Sequence, residues 1–222
     1  MSLETLEIET GASPRASIVL MHGLGADCHD FEPLAEQLDL RAAGPVRYVF
    51  PNAPQIPVTI NGGFVMPAWY DIRAADLANR EDEGGLRASQ AEIERLIAHE
   101  VARGVPASRI VLAGFSQGAA MALMTGLRHA ERLAGIVGMS GYLPLADRTA
   151  SERQAANQST PIWLAHGRQD DVVPIGRAMA SRDALAALGY SVSWSDYAMG
   201  HSVCPEELVA LNRWLLTVLA PA

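Results

Sequence analysis

The chain has 222 residues, a formal net charge of −8 and a hydrophobic content of 49%. This length fits one ordinary domain, predicted to run over residues 1–222, and the hydrophobic content is enough for a large core. An acidic surface repels polyphosphate backbones, and no stretch of the chain is rich in Lys and Arg. The sequence therefore predicts no nucleic-acid partner.

Two cysteines, Cys28 and Cys204, stand far apart and outside any C-x-x-C pattern. The sequence therefore predicts neither a disulfide nor a metal site, and it favours a reducing compartment. The first residues, MSLETLEIETG, are acidic and have no apolar core, so they do not resemble a signal peptide. Apolar runs of about six to eight residues are too short to span a bilayer. We expect a cytoplasmic protein without a membrane span.

Short apolar runs rich in β-branched residues alternate with patterns typical of helices. The predicted strands lie at 16–21, 46–50, 109–113, 133–139, 161–165 and 191–197. Several show almost no polar alternation, as expected of strands that are buried on both faces of a parallel sheet. The predicted helices lie at 31–40, after the candidate cap Asp30, and at 86–103, 117–129, 175–188 and 205–219. This alternation predicts an α/β fold with a doubly wound, mostly parallel sheet.

The segment 51–85 interrupts the alternation. It is rich in Pro and Gly and has no helical pattern, yet it contains large apolar side chains, among them Phe64, Met66, Trp69 and Tyr70. Long loops in compact domains are usually functional or disordered, and a disordered loop would not favour these residues. We predict a wall or partial cover of a binding site, with surface packing or a homodimer contact as the alternatives.

The stretch AGFSQGAAM places Ser116 between Gly114 and Gly118. A buried strand precedes it and an Ala- and Met-rich helix follows, which is the context of a nucleophile elbow. Glycine two residues before and after the serine removes the collisions that such a strained turn would cause. The helix N-terminus favours negative charge that develops beside the serine. The pattern therefore predicts that Ser116 is a nucleophile.

A serine hydroxyl needs a neighbouring base to take its proton. Of the six histidines we select His201, because it lies between the last predicted strand and the last predicted helix, where a loop can place an imidazole over Ser116. The other five are expected in structural roles: surface positions for His99 and His129, a helix cap for His29, loop fixing for His22 and a structural hydrogen bond for His166.

The base needs an acid that orients it. Asp170 and Asp171 follow the strand predicted at 161–165, and the chain order Ser, Asp, His is that of the α/β-hydrolases. Spacing does not separate the two aspartates: one would carry the charge beside His201, and the other would cap the helix that begins near Pro174. Asp196 is a weaker third candidate because it lies within a predicted strand.

Two N–H donors must stabilise the oxyanion that develops during acyl transfer. One is predicted to be the backbone N–H of Gln117, the residue after the nucleophile, and the other that of Leu24, in the loop LMHGLGAD. Gly23 and Gly25 of that loop also resemble the start of a dinucleotide-binding fingerprint. However, the third position of that pattern is Cys28, and no acidic ribose ligand follows the next strand. We therefore predict no cofactor.

Five motifs in order, HGLGAD, PNAP…PVTINGG…MPAWYDI, LAGFSQGAAMAL, HGRQDDVVP and MGHSV, resemble the small carboxylesterase and acyl-protein thioesterase family of α/β-hydrolases. They extend over most of the chain, from near residue 18 to near residue 205. The resemblance implies that Ser116 is the nucleophile, His201 the base and Asp170 the acid. It also implies that Leu24 and Gln117 form the oxyanion hole.

The resemblance further implies an α/β-hydrolase without a separate cap domain, whose acyl groove lies beside the early loop and the W-Y-D segment. The residues expected to contact the acyl chain are Leu24, Phe64, Met66, Trp69 and Val173. We therefore expect a serine hydrolase that cleaves carboxylic esters or thioesters through an acyl-enzyme. The alternative is a catalytically silent binding module with the same fold.

Overall fold

The computed structural model describes residues 3–74 and 81–220, and its centre is a seven-stranded sheet. In chain order the strands are β1 (Thr5–Glu9), β2 (Ala16–Met21), β3 (Val46–Pro51), β4 (Gln55–Val58), β5 (Phe64–Pro67), β6 (Ile110–Phe115), β7 (Gly135–Met139), β8 (Ile162–Gly167) and β9 (Val192–Tyr197). The order across the sheet is β1-β3-β2-β6-β7-β8-β9, and every neighbouring pair is parallel except β1 with β3. The predicted α/β fold with a mostly parallel sheet is confirmed.

Helices follow the strands and cover both faces of the sheet. In the described part of the chain they are α1 (Leu34–Gln37), α2 (Glu83–Ala102), α3 (Gln117–Arg128), α4 (Ala146–Glu152), α5 (Ile175–Ala187) and α6 (Pro205–Val218). None of these helices is long and apolar enough to cross a membrane.

Strand β2 shows why its sequence lacks polar alternation. Ile18 and Leu20 belong to the core layer that also contains Leu211 of α6, whereas Val19 and Met21 belong to the layer on the other face, with α2 and α3. Successive side chains of a strand point to opposite faces, so a central strand covered on both sides has to be apolar throughout. The elbow and the loop after β2 thus rest on a fully buried part of the sheet.

The prediction of a helix over 31–40 capped by Asp30 was wrong. Only Leu34–Gln37 is α-helical, and Pro33 occupies the cap position. A proline disfavours helical backbone in the residue before it, so the helix cannot extend back through Glu32. One strand and one α-helix outside the segment 51–85 were missed. Strand β1 pairs with one neighbour only and is half-exposed, which hides it from a search for buried strands, and helix α4 is seven residues long.

The segment predicted as one long loop over 51–85 is partly regular. It begins at the last residue of β3, contains the hairpin β4–β5, and ends inside α2, which starts three residues before the predicted Leu86. Gly62 and Gly63 close the hairpin with φ of 67° and 80°, a left-handed backbone that glycine adopts without a steric penalty. Residues 75–80 of this segment lie outside the described residues.

Candidate active site

Ser116 occupies a sharp turn between β6 and α3. Its backbone has φ 55° and ψ −115°, a left-handed conformation that is strained for a residue with a side chain. The neighbouring backbones are in close contact: a β-carbon on Gly114 would overlap the backbone of Gly118, and one on Gly118 would overlap the carbonyl of Met21. Both glycines are therefore required sterically, and the turn projects Ser116 from the carboxyl end of the sheet.

The structure brings together three side chains from three separate loops. The Oγ of Ser116 lies 2.9 Å from Nε2 of His201, and Nδ1 of His201 lies 2.7 Å from Oδ2 of Asp170. The His201 side chain is 15% exposed, while that of Asp170 is fully buried. The ring of His201 also packs on Phe115, with 4.8 Å between the ring centroids. With its proton on Nδ1, His201 donates to the carboxylate and can accept the proton of the serine.

The carboxylate of Asp170 is held by its own loop. Its Oδ1 accepts the backbone N–H groups of Val172 and Val173, at 2.9 Å and 2.8 Å, which leaves Oδ2 directed at His201. The adjacent Asp171 is exposed, and no side chain caps helix α5, so the prediction that the second aspartate caps this helix was wrong. The third candidate, Asp196, is paired with Arg168 at 2.9 Å.

Leu24, Ser116 and Gln117 line the same cleft, which has a volume of about 350 Å³. Gln117 is the first residue of α3, so its backbone N–H is at the helix N-terminus, where N–H groups have no partner within the helix. The described lining residues are Leu24, Ile60, Asn61, Tyr70, Ile72, Ser116, Gln117, Tyr142, Asp171, Val172, Val173 and Pro174. Most are apolar or aromatic, which suits a hydrocarbon chain next to the serine.

The profile of the phospholipase/carboxylesterase family matches residues 3–219. The chain belongs to this family. Among its relatives, acyl-protein thioesterase 1 of Neurospora crassa is 43% identical over 90% of this chain and 85% of its own. Acyl-protein thioesterase 1 of Yarrowia lipolytica is 40% identical over 95% of both chains. The family and these relatives make this chain a serine hydrolase of carboxylic esters or thioesters.

Solved structures agree with this assignment. Arabidopsis thaliana SOBER1 superposes with a TM-score of 0.88 at 28% identity, covering 92% of this chain and 99% of its own. Zea mays acyl-protein thioesterase 2 superposes with a TM-score of 0.81 at 32% identity, covering 97% of this chain and 99% of its own. The α/β-hydrolase fold of the family is therefore also the fold of this chain.

The residues expected to contact the acyl chain divide into two groups. Leu24 and Val173 line the cleft. Phe64 is 68% exposed on the hairpin and Met66 lies against Asn61, and neither is among the described lining residues. Trp69 is 1% exposed and lies in the core beneath the cleft, so it does not have the expected contact.

Two aromatic residues line the cleft without having been expected to contact the acyl chain: Tyr70, which the sequence placed in the predicted wall, and Tyr142, which sequence reasoning missed. Their hydroxyls lie 2.9 Å apart, and burial raises the pKa of both phenols. The guanidinium of Arg177 lies over the ring of Tyr142, 4.3 Å from its centroid. Tyr70 belongs to the quoted W-Y-D motif, which was a usable signal. Tyr142 follows β7, and only the parallel order of the strands places it beside Ser116.

The remaining histidines have structural contacts. His22 accepts the backbone N–H of Ala53 at Nε2, 3.0 Å away, and burial lowers its pKa, so it fixes the loop before Leu24 in the neutral form. His129 is buried and lies 2.6 Å from Glu94, which corrects the expected surface position. His29 is bonded to Glu32 in a turn and caps no helix, again unlike the prediction.

One group of side chains in the described residues has the spacing of a metal site: Glu7, His99 and Glu100. Both carboxylates already accept hydrogen bonds from Arg103, at 2.8 Å and 3.1 Å, and Glu100 also accepts one from Arg47. A metal ion would have to displace these guanidinium groups. The cluster is therefore a set of ion pairs between β1, β3 and α2.

Proposed function

We propose that the chain hydrolyses acyl esters and thioesters through a covalent acyl-enzyme on Ser116, with His201 as the base and Asp170 as the acid that orients it. The observation that carries this proposal is the continuous chain of two hydrogen bonds, 2.9 Å and 2.7 Å long, from Ser116 through His201 to Asp170. Each side chain comes from a different loop, so their alignment is a property of the whole fold.

In the first half of the reaction, His201 Nε2 takes the proton of Ser116 as Oγ attacks the carbonyl carbon. The backbone N–H groups of Leu24 and Gln117 stabilise the oxyanion of the tetrahedral intermediate. The intermediate collapses when His201 returns the proton to the departing alcohol or thiol, which leaves an acyl ester on Ser116. Water, deprotonated by His201, then attacks the acyl carbon, and the second tetrahedral intermediate releases the acid as His201 returns the proton to Oγ of Ser116.

For the substrate we propose a long-chain acyl thioester of a protein. Relatives of this chain bear the name acyl-protein thioesterase, and the cleft beside Ser116 is mostly apolar. An acyl-length series, run in parallel on aryl esters and on S-acylated peptides, tests this proposal. It is supported by higher kcat/KM on S-acyl peptides with longer chains, and a preference for short aryl esters would contradict it.

Labelling with a fluorophosphonate probe tests the nucleophile. The wild-type protein should be labelled and Ser116→Ala should not. The matched control is Ser151→Ala, which changes a serine outside the cleft and should leave labelling intact. Retained labelling of Ser116→Ala would overturn the assignment. A folded wild-type protein that neither reacts with the probe nor turns over a short aryl ester would instead support the catalytically silent binding module.

The compartment and assembly are part of the same proposal. Cys28 and Cys204 are both free thiols, which supports a cytoplasmic location, testable by cell fractionation.

Exposed apolar side chains at Ile60, Phe64 and Val65 support a homodimer formed through the hairpin. Sedimentation velocity should show a dimer that Phe64→Ser weakens, and a monomer at all accessible concentrations would refute this part.

A further inference from the structure

Trp69 lies beneath the cleft and makes three hydrogen bonds there. Its indole Nε1–H donates to the carbonyl of His22, 2.9 Å away, and its backbone N–H donates to the side-chain Oε1 of Gln117, 2.8 Å away. Its backbone carbonyl accepts the hydroxyl of Ser89 from helix α2. The residue is only 1% exposed, so none of these bonds competes with solvent. Trp69 therefore joins two loops that are remote in sequence.

The first of these loops contains Leu24. On one side of Leu24, the carbonyl of His22 is held by the indole of Trp69, and the two rings pack with 5.5 Å between centroids. On the other side, the N–H of Gly25 donates to the carbonyl of Pro67, 2.8 Å away. The partners in these two bonds, Trp69 and Pro67, belong to one short segment. This segment therefore holds the loop on both sides of Leu24 and fixes the direction of the Leu24 N–H.

The second loop is the elbow itself. The side chain of Gln117 does not reach into the cleft as a polar group for substrate. Its Oε1 accepts the N–H of Trp69, and its Nε2 donates to the carbonyl of Tyr70, 2.7 Å away. A planar amide that makes both bonds has no rotational freedom left. The backbone of Gln117 is consequently tied to the same residue that holds the Leu24 loop.

We infer that Trp69 is a positioning residue that sets the distance and the angle between the N–H groups of Leu24 and Gln117. The inference rests on the proposed function, in which these two groups form the oxyanion hole. An oxyanion hole works only when both donors lie about 2.7–3.1 Å from the oxygen of the tetrahedral intermediate. A displacement of about 1 Å can lower the rate about 100-fold. A rigid residue bonded to both loops prevents such a displacement.

This role predicts a different result from the two simpler roles for Trp69. An acyl-binding residue would affect KM and the preference for chain length when it is changed. A residue that only fills the core would lower the stability and leave catalysis by the remaining folded protein intact. A positioning residue for the oxyanion hole lowers kcat, with little change in KM, because the donors act on the transition state.

The test uses Trp69→Phe, which keeps an aromatic ring and removes the indole N–H, and Gln117→Met, which keeps the chain length and removes the amide. Trp163→Phe is the matched control, since Trp163 is 3% exposed and belongs to the core layer on the opposite face of the sheet. For each protein, kcat and KM are measured on a short aryl ester, together with Ki for an alkyl trifluoromethyl ketone and the midpoint of thermal unfolding.

The ketone reports on the oxyanion hole directly. Ser116 Oγ adds to its carbonyl carbon, the proton moves to His201, and the carbonyl electron pair becomes an oxyanion in a stable tetrahedral adduct. We expect Trp69→Phe and Gln117→Met each to lower kcat about 10-fold or more, to change KM less than about twofold, and to raise Ki by the same factor as kcat/KM falls. Trp163→Phe should change the unfolding midpoint only.

Other outcomes overturn the inference. They are an unchanged kcat, a loss confined to KM, a lower kcat with unchanged Ki, or the same loss in Trp163→Phe. If Trp69→Phe does not fold, Gln117→Met decides on the same criteria. The proposed function fails separately, in the wild-type protein, if that protein neither hydrolyses the ester nor binds the ketone.

Discussion

His166 lies against the carboxylate of Asp170. Its Nε2 is 3.3 Å from Oδ2 of Asp170, the same carboxylate oxygen that faces His201, and 2.7 Å from the carbonyl of Val173. Burial lowers the pKa of His166, so it is neutral with its proton on Nε2, which it donates to that carbonyl. One imidazole thus fixes the loop that carries the acid, and this loop ends in Val173, which lines the cleft.

Replacement of His166 should therefore impair catalysis through Asp170. We expect His166→Phe, which has no donor, to lower kcat/KM about 10-fold, and His166→Gln, whose amide can still donate to Val173, to retain most of the activity. In an Asp170→Asn background, His166→Phe should lower kcat/KM by a much smaller factor, because the effects of two residues that act as a unit are not additive. Equal losses in both backgrounds would show that His166 acts independently of the acid.

The two adjacent aspartates should differ sharply. Asp170→Asn removes the charge beside His201 and should lower kcat about 10³- to 10⁴-fold. Asp171→Asn, one residue away, changes an exposed side chain that lines the cleft but does not contact His201, and it should lower kcat by no more than about 10-fold. Steady-state kinetics on an aryl ester checks both. A larger loss in Asp171→Asn than in Asp170→Asn would reverse the assignment of the acid.

The elbow should not tolerate a side chain at Gly118. A β-carbon there would overlap the carbonyl of Met21, so Gly118→Ala should destabilise the fold by about 3 kcal/mol and displace Ser116. We expect a lower unfolding midpoint and a loss of activity of at least about 100-fold. Gly176→Ala is the control: its β-carbon meets nothing within 4 Å in the first turn of helix α5, and it should change the stability by no more than about 0.5 kcal/mol.

Glu207, on the inner face of α6, should make stability depend on pH. Burial raises its pKa from 4.5 to about 8, and a hydrogen bond from the backbone N–H of Cys204 opposes this rise only in part. A carboxyl whose folded-state pKa is raised binds its proton more tightly when folded. The contribution of Glu207 to stability is therefore largest below pH 4.5, the pKa of this carboxyl in the unfolded chain. It is lost as the pH rises from 4.5 through about 8, the pKa in the folded protein.

Glu207→Gln should remove this loss. At pH 7 we expect the variant to be more stable by about 3 kcal/mol, with a gap that is small at pH 4.5 and grows up to pH 9. Chemical unfolding at several pH values measures this gap. Glu206→Gln changes an exposed neighbour in the same helical turn and should show no such trend. A gap in Glu207→Gln that does not change with pH would mean that Glu207 is ionised in the folded protein.

Local patterns predicted the parts of this molecule that depend on neighbours in sequence. The central strands and helices α2, α3, α5 and α6 lie within a few residues of their predicted positions. Such elements can be recognised in the sequence for two reasons. A strand that is buried on both faces needs a continuous apolar run, and an amphipathic helix has apolar residues at every third or fourth position. Strand β1 escaped because an edge strand keeps polar side chains, and α1 was overestimated because Pro33 limits it.

The site follows the same division. The sequence by itself determined the elbow at Ser116 and the chain order of Ser116, Asp170 and His201, because two glycines and the position of each loop after a strand are local features. Spacing left Asp170 and Asp171 open, and the family resemblance implied Asp170. The tertiary structure gives the physical reason that Asp170 faces His201: two backbone N–H groups of its own loop hold Oδ1 and direct Oδ2 at the imidazole.

The tertiary structure also decided the position of Trp69. Its motif suggested a contact with the acyl chain, yet the indole points to His22 and the backbone N–H to Gln117, 47 and 48 residues away in sequence. No local pattern reports such contacts. They depend on how the segment before α2 packs over the carboxyl ends of β2 and β6, where the strand order brings the two loops together.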